Sequence, residues 1–277
     1  MSPVQSDEED LTRKQRREQA RTQRKQLEEA EAARVVRRTR LTQLGIVVAV
    51  VVVAIVAIVI ATGSGGKSSG PVRAGSGPAS ENVALVNATL NGIPQNGSTL
   101  GAPTAPVTLQ YYADLECPIC KEFTLGALPS LIQNSVRTGK LKIEYRNLET
   151  ATREPEVFRS QQIAALAAGK QNKLWPFIEL FYHEQQEEGS GYVTEQFLQN
   201  MAQQVPGLNV TQWTAARNDP TLASQITTDA QTASASGLSS TPSFLMGKTG
   251  GTAQKFEPGS LTDASSFNAA IEKLSKA

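Results

Sequence analysis

Val107-Thr108-Leu109-Gln110-Tyr111-Tyr112-Ala113-Asp114-Leu115-Glu116-Cys117-Pro118-Ile119-Cys120-Lys121-Glu122-Phe123 is the stretch on which the fold turns. Val107–Ala113 is mostly apolar, as a buried strand is. Lys121-Glu122-Phe123-Thr124-Leu125 has the character of a helix start. Between them stand Cys117 and Cys120, the only two cysteines of the 277-residue chain. A strand that delivers a Cys-x-x-Cys pair to a helix N-terminus has the arrangement of a thiol–disulfide exchange site.

The helix end supplies the reason. Its first backbone N–H groups lack internal partners, and the dipole adds partial positive charge there. A thiolate at that end is stabilised, so Cys117 is predicted to be more acidic than a free cysteine. Pro118 suits the first helical position, where an N–H would have gone unpaired. Cys120 lies one turn on, more buried, and is placed to attack a mixed disulfide formed at Cys117. Two rival readings are weaker. A disulfide across so small a loop removes little entropy from the unfolded chain, so it makes a poor staple. Zinc needs three or four ligands, and the single histidine, His183, lies far off in the sequence.

Outward from this centre the chain divides by composition. Residues 44–61 form an uncharged run of 18 residues rich in Val, Ile and Ala. As a helix it would span ~27 Å, about the hydrocarbon thickness of a bilayer. About forty residues precede it, which favours an uncleaved signal anchor over a cleaved leader. Residues 1–43 carry eleven Lys/Arg, four of them (Arg34, Arg37, Arg38, Arg40) beside the run. The positive-inside rule then puts this basic tail in the cytoplasm and residues 62–277 outside, where disulfides persist. The tail reads as a topology signal.

Net charge is +1, but the chain after the tail holds 16 Lys/Arg against 18 Asp/Glu. That mildly acidic remainder gives no sign of nucleic-acid binding. Residues 62–82 are rich in Gly, Ser, Pro and Ala and read as a flexible linker.

The folded part is predicted over 83–277. Val83–Leu90 reads as a first strand, Asn96-Gly97 and Gly101-Ala102-Pro103 as turns, and Pro118 to about Val136 as one helix. Lys140–Arg146 alternates polar and apolar, as a strand does. Helices are predicted at 155–168, 174–182, 194–203, 211–217 and 220–236. Strand character returns at 243–246 and 253–256, and 261–276 reads as an amphipathic helix. Removing the middle helices leaves β–α–β then β–β–α. The fold class is therefore α/β: a thioredoxin-like fold with an inserted helical subdomain, about 152–238, preceded by a single transmembrane helix. Trp175, Phe177, Phe181 and Tyr182 read as the core of the insertion, His183 as a helix-face residue.

Tyr112-Ala113-Asp114-Leu115-Glu116-Cys117-Pro118-Ile119-Cys120-Lys121-Glu122-Phe123 resembles the aromatic-x-Asp-x-x-Cys-Pro-x-Cys-x-x-Phe pattern of the DsbA family of extracytoplasmic thiol–disulfide oxidoreductases. The chain is most similar to membrane-anchored members from Gram-positive bacteria, over about residues 83–277. The resemblance implies that Cys117 and Cys120 are catalytic and that no cofactor is needed. It also implies a cis bond at Thr241-Pro242, within Ser240-Thr241-Pro242-Ser243-Phe244. That bond would turn the Thr241 backbone toward the cysteines, where it can pair with a substrate chain. Partners would be exported cysteine-containing proteins and a membrane enzyme that reoxidises the pair.

This chain departs from the family in one telling place. Many members carry His between the cysteines; here Ile119 stands there, and an isoleucine cannot favour the thiolate. Asp114 and Glu116 would oppose ionisation if close to the sulfur, and Lys121 would help. Cys117 is therefore predicted to owe its acidity mostly to the helix end, with Pro118 and Ile119 setting the redox poise. Asp114 has two readings: a proton acceptor for Cys120, or a residue that ends the strand and hydrogen-bonds the loop. Tyr145-Arg146 falls at a family aromatic–Arg pair, without its usual nearby proline, and reads as structural.

Three functions compete: an oxidant of exported proteins, which leads; the same site run as a reductase or isomerase, for example in cytochrome c maturation; and a tethered peptide-binding or chaperone module whose disulfide is incidental.

Overall fold

Two parallel strands, β3 (Val107–Ala113) and β4 (Leu141–Asn147), form the centre of the sheet. Val107 pairs with Leu141 and Ala113 with Asn147, so both strands end at the same edge. The computed structural model that gives this arrangement describes residues 78–276. The basic tail, the apolar run 44–61 and the linker to residue 77 lie outside the described residues. Among the described residues, no helix is long and apolar enough to cross a membrane.

The sheet has six strands in the order β1-β2-β4-β3-β5-β6. β1 (Gln95–Asn96) and β2 (Thr99–Leu100) make a small hairpin, and β2 runs antiparallel to β4. Gly97, with φ +57°, makes the turn. On the other side β5 (Ser243–Lys248) runs antiparallel to β3, and β6 (Gln254–Phe256) antiparallel to β5.

Val83–Leu90 is not the strand its sequence suggests. It belongs to helix α1 (Pro78–Leu90). The apolar positions that face inward, Val83, Val86 and Leu90, are spaced by three and four, which is a helical stripe. The Arg137 guanidinium donates to the carbonyls of Ala88, Thr89 and Asn91, closing the helix C-terminus from a distant part of the chain. Helix α1 also takes up residues 78–82, which were read as linker.

The helix predicted over 118–136 is broken. α2 (Pro118–Leu125) stops at Gly126, α3 (Ala127–Leu131) restarts, and a π-helical turn (Ile132–Val136) follows. A Cβ at Gly126 would lie 2.5 Å from the Glu122 carbonyl oxygen and 3.0 Å from that of Leu261. The break lets Ala127 N–H donate to Leu261 O at 3.0 Å, bringing the C-terminal segment in.

Five helices stand between β4 and β5: α4 (Pro155–Gly169), α5 (Leu174–Glu184), α6 (Glu195–Gln204), α7 (Val210–Ala216) and α8 (Pro220–Ala235). Thr194, Asn209 and Asp219 cap the last three, each accepting a backbone N–H two or three residues on. Trp175, Phe177, Phe181, Tyr182 and Trp213 are fully buried among them. The Trp175 indole N–H reaches Ser98 O at 3.1 Å, tying the insertion to the hairpin. Arg146 and Asn147 both hold Asp229 of α8, which fixes that helix to the end of β4.

The last helix, α9 (Ser265–Lys276), sends Phe267 into a cluster with Tyr111, Phe123 and Phe244. Ring centroids in this cluster are 4.8 to 5.7 Å apart. It joins α2, β3, β5 and α9. Phe123→Ala should therefore lower unfolding stability by ~3–5 kcal/mol in denaturant titration of the full chain. Leu85→Ala, at a residue 56% exposed, should change it by less than ~0.5 kcal/mol.

Candidate functional site

β3 ends at Ala113, and a tight turn, Asp114–Glu116, carries the chain into α2. Cys117 N–H donates to Asp114 O at 3.1 Å. This makes Cys117 the N-cap residue of α2 and Pro118 its first helical residue. The sulfur itself does the capping: Cys117 Sγ accepts the Cys120 N–H at 3.4 Å. Both cysteines are free thiols. Cys117 is 5% exposed and Cys120 fully buried, whereas Ile119 between them is 45% exposed. Pro118 is exposed as well, so the pair lies just under the surface beside two outward apolar side chains.

Thr241 and Pro242 meet the pair from the loop before β5. Their peptide bond is cis. The Thr241 carbonyl accepts the Cys117 S–H at 3.4 Å, and the Thr241 hydroxyl pairs with that of Thr150.

These surroundings split the two thiols. The Cys117 pKa falls to about 6, chiefly because the Cys120 S–H donates to its sulfur. Burial works against this, while the Thr241 side chain and the Cys120 and Ile119 backbone N–H groups add to it. Cys120 moves the other way, well above the ordinary thiol range, through burial first and then its neighbour Cys117. The N–H groups of the helix end therefore contribute to the acidity of Cys117, together with the second thiol. That thiol is a short-range donor in a dry environment, and a helix end is a diffuse one.

Asp114 is fully buried at the end of β3. Its Oδ2 accepts three consecutive backbone N–H groups, Thr150 (3.1 Å), Ala151 (2.9 Å) and Thr152 (2.9 Å). Its Oδ1 accepts Glu116 N–H, the Thr152 hydroxyl and the Gln161 amide. The carboxylate thus organises the loop that leaves β4. Glu116 is buried too, and burial pushes its carboxyl up. The Lys121 ammonium donates to Gln185 O at 3.1 Å. Tyr145 and Arg146 lie inside the fold: the Tyr145 hydroxyl donates to Gln162 and Arg146 pairs with Glu144 and Asp229. His183 is half-buried on α5, where burial lowers its pKa.

The sequence reading missed Thr150, Thr152, Gln161 and Gln185. All reach the site from the insertion or the loop before it, and no local pattern marks a residue whose partner is tens of positions away.

A family model described as Thioredoxin matches residues 95–260, more than half of the chain. The chain belongs to the thioredoxin family. Its fold is similar to that of α-DsbA1 from Wolbachia pipientis, whose crystal structure aligns with a TM-score of 0.53 at 20% identity, covering 68% of this chain and 92% of that one. The crystal structure of oxidised BdbD from Bacillus subtilis aligns with a TM-score of 0.55 at 21% identity, covering 67% of this chain and 98% of that one. Disulfide bond formation protein D of Bacillus subtilis is 25% identical over 152 residues, 53% of this chain and 66% of the relative. The probable disulfide bond formation protein D of Bacillus anthracis is 26% identical over 122 residues, 42% of this chain. The chain spans about half the length of that relative, 53%.

Two titrations test the electrostatics of the pair. In the reduced protein, alkylation of Cys117 should follow a pKa near 6, and Cys120→Ala should raise it by removing the S–H donor. The folded value lies below the ordinary thiol value of ~8.5. The reduced fold therefore holds this stabilisation in full above ~8.5 and loses it as pH falls through about 6. The disulfide form has no such thiol to titrate. Unfolding midpoints of the two forms should accordingly shift relative to one another, against the reduced form, between pH 8 and pH 5.

Proposed function

We propose that this chain is a membrane-tethered, extracytoplasmic thiol:disulfide oxidoreductase that introduces disulfides into exported proteins through Cys117 and Cys120. The observation that carries the reading is the Cys117 sulfur, acidified to about 6 at a helix start and flanked by the Thr241 carbonyl. The names of the Bacillus relatives, disulfide bond formation proteins, support it.

In this reading a substrate thiolate attacks Cys117 Sγ of the oxidised pair. The Cys117–Cys120 bond breaks and a substrate–Cys117 bond forms. The electron pair leaves on Cys120, whose raised pKa draws a proton to it. A second substrate thiolate then attacks the substrate sulfur, and Cys117 leaves as a stabilised thiolate. The substrate has lost two electrons, and the pair has gained them. A membrane redox partner removes those electrons and restores the disulfide. Thr241 and Pro242 line the approach, and the Thr241 backbone offers an extended substrate chain a partner. Asp114 acts first as the anchor of the 150–152 loop. A proton-accepting role toward Cys120 rests only on its place at the end of β3, since donors engage both its oxygens.

Ile119 favours one second reading, the same chemistry in reverse. Without an ionisable group there, the thiolate is stabilised less than an imidazolium neighbour would allow, and the disulfide is a milder oxidant. Equilibration with glutathione decides. A potential approaching DsbA's ~−120 mV supports the oxidant, and one near thioredoxin's ~−270 mV overturns it.

Two experiments in cells follow. Cys120→Ala should trap mixed disulfides with exported proteins through Cys117, and Cys117→Ala almost none; equal trapping would remove the assigned roles. A membrane-impermeant protease added to intact cells should digest residues after 61 and spare the basic tail. Protection of the C-terminal part would overturn both the tether and the compartment.

A further inference from the structure

Gln185 is the first residue beyond α5, with extended backbone (φ −58°, ψ 128°) and a buried side chain. Its amide Nε2 donates to two carbonyls of the cysteine-bearing turn, Leu115 O at 2.7 Å and Cys117 O at 3.1 Å. Its own backbone carbonyl accepts the Lys121 ammonium at 3.1 Å. The grip is therefore reciprocal: the insertion donates to the turn before α2, and α2 donates back.

Cys117 O already accepts Lys121 N–H at 3.2 Å, the first hydrogen bond of α2, and Cys117 N–H is held by Asp114 O. Gln185 adds a second donor on Cys117 O and ties down Leu115 O, so the peptide groups flanking the Cys117 Cα and the turn leading into them are held together. The direction of its Cα–Cβ bond is thereby fixed. The capping contact from Cys120 N–H to the sulfur depends on that direction and tolerates little rotation.

We infer that Gln185 is a positioning residue for the thiol chemistry: it aims the Cys117 sulfur at its hydrogen-bond donors, and through it the helical insertion sets the redox poise of the pair. The inference rests on the oxidoreductase reading above and names a residue that acts through the cysteine without touching substrate. Removing the amide takes the donor from buried Leu115 O and leaves Cys117 O with Lys121 N–H alone, and the turn must open to hydrate the freed carbonyl. The sulfur then loses its alignment.

Gln185→Met keeps length and apolar stem and removes both donors. In the full-length reduced protein it should raise the Cys117 pKa from about 6 toward that of an ordinary thiol. It should shift the equilibrium constant with glutathione about tenfold toward the disulfide form, ~30 mV more reducing. Gln185→Asn keeps an amide on a stem one methylene shorter, so it can reach one carbonyl, and should fall between. An unchanged pKa and an unchanged equilibrium constant in Gln185→Met would overturn the inference, even if melting temperature fell, because that is a structural role alone. Should Gln185→Met fail to fold, parental values in Gln185→Asn would overturn it equally. A parent protein that exchanges no electrons with glutathione would sink the function proposed above, while the thiolate titration would still decide the role of Gln185.

Discussion

The buried carboxylate of Asp114 is the constraint around which the site is assembled. A buried carboxyl with no solvent must be met by donors, and this one collects them from three places: the turn after β3, the loop after β4 (its backbone and the Thr152 hydroxyl) and α4 through Gln161. None of those segments is adjacent to it in sequence except the turn. Satisfying its two oxygens therefore brings the exits of the two parallel strands and the start of the insertion into one place. The cysteines emerge three residues later, at the edge where this convergence occurs.

Around that edge the two sulfurs are treated oppositely by the same neighbourhood. Burial alone would raise both. Cys117 escapes because donors converge on its sulfur, and Cys120 does not because it is one of those donors. The asymmetry is a property of the pair: the proton that stabilises one thiolate is the proton retained by the other. Pro118 and Ile119, between the two sulfurs, project from this buried arrangement toward solvent.

Much of this was legible in the sequence because it is local. Val107–Phe123 carries its strand, its cap and its helix in consecutive residues, and the inserted helices announce themselves by helical spacing or, as at 174–182, by an aromatic run. Val83–Leu90 misled because its Val and Leu content suits a strand. The helical spacing of Val83, Val86 and Leu90 is short, and the Arg137 cap that closes the helix comes from far along the chain. The break at Gly126 was invisible for a similar reason: what the glycine accommodates is Leu261. Of the two readings of Asp114, the structure shows the one in which it ends the strand and hydrogen-bonds a loop; which loop, 150–152, is not written near it in the sequence, and Glu116 is buried close by. Gln185 has no signature at all, since glutamine after a helix is unremarkable until its partners are known.

The broken helix has a consequence for how the protein matures. The segment that fills the Gly126 gap is the one around Leu261, and the ring that closes the aromatic cluster over α2 is Phe267. A chain synthesised from its N-terminus presents Cys117 and Cys120 long before those residues arrive. During that interval the cysteine helix lacks its back wall, and its two thiols stand open to whatever oxidants or thiols the compartment holds. The pair is thus exposed to the chemistry of its surroundings before it acquires the geometry that governs it.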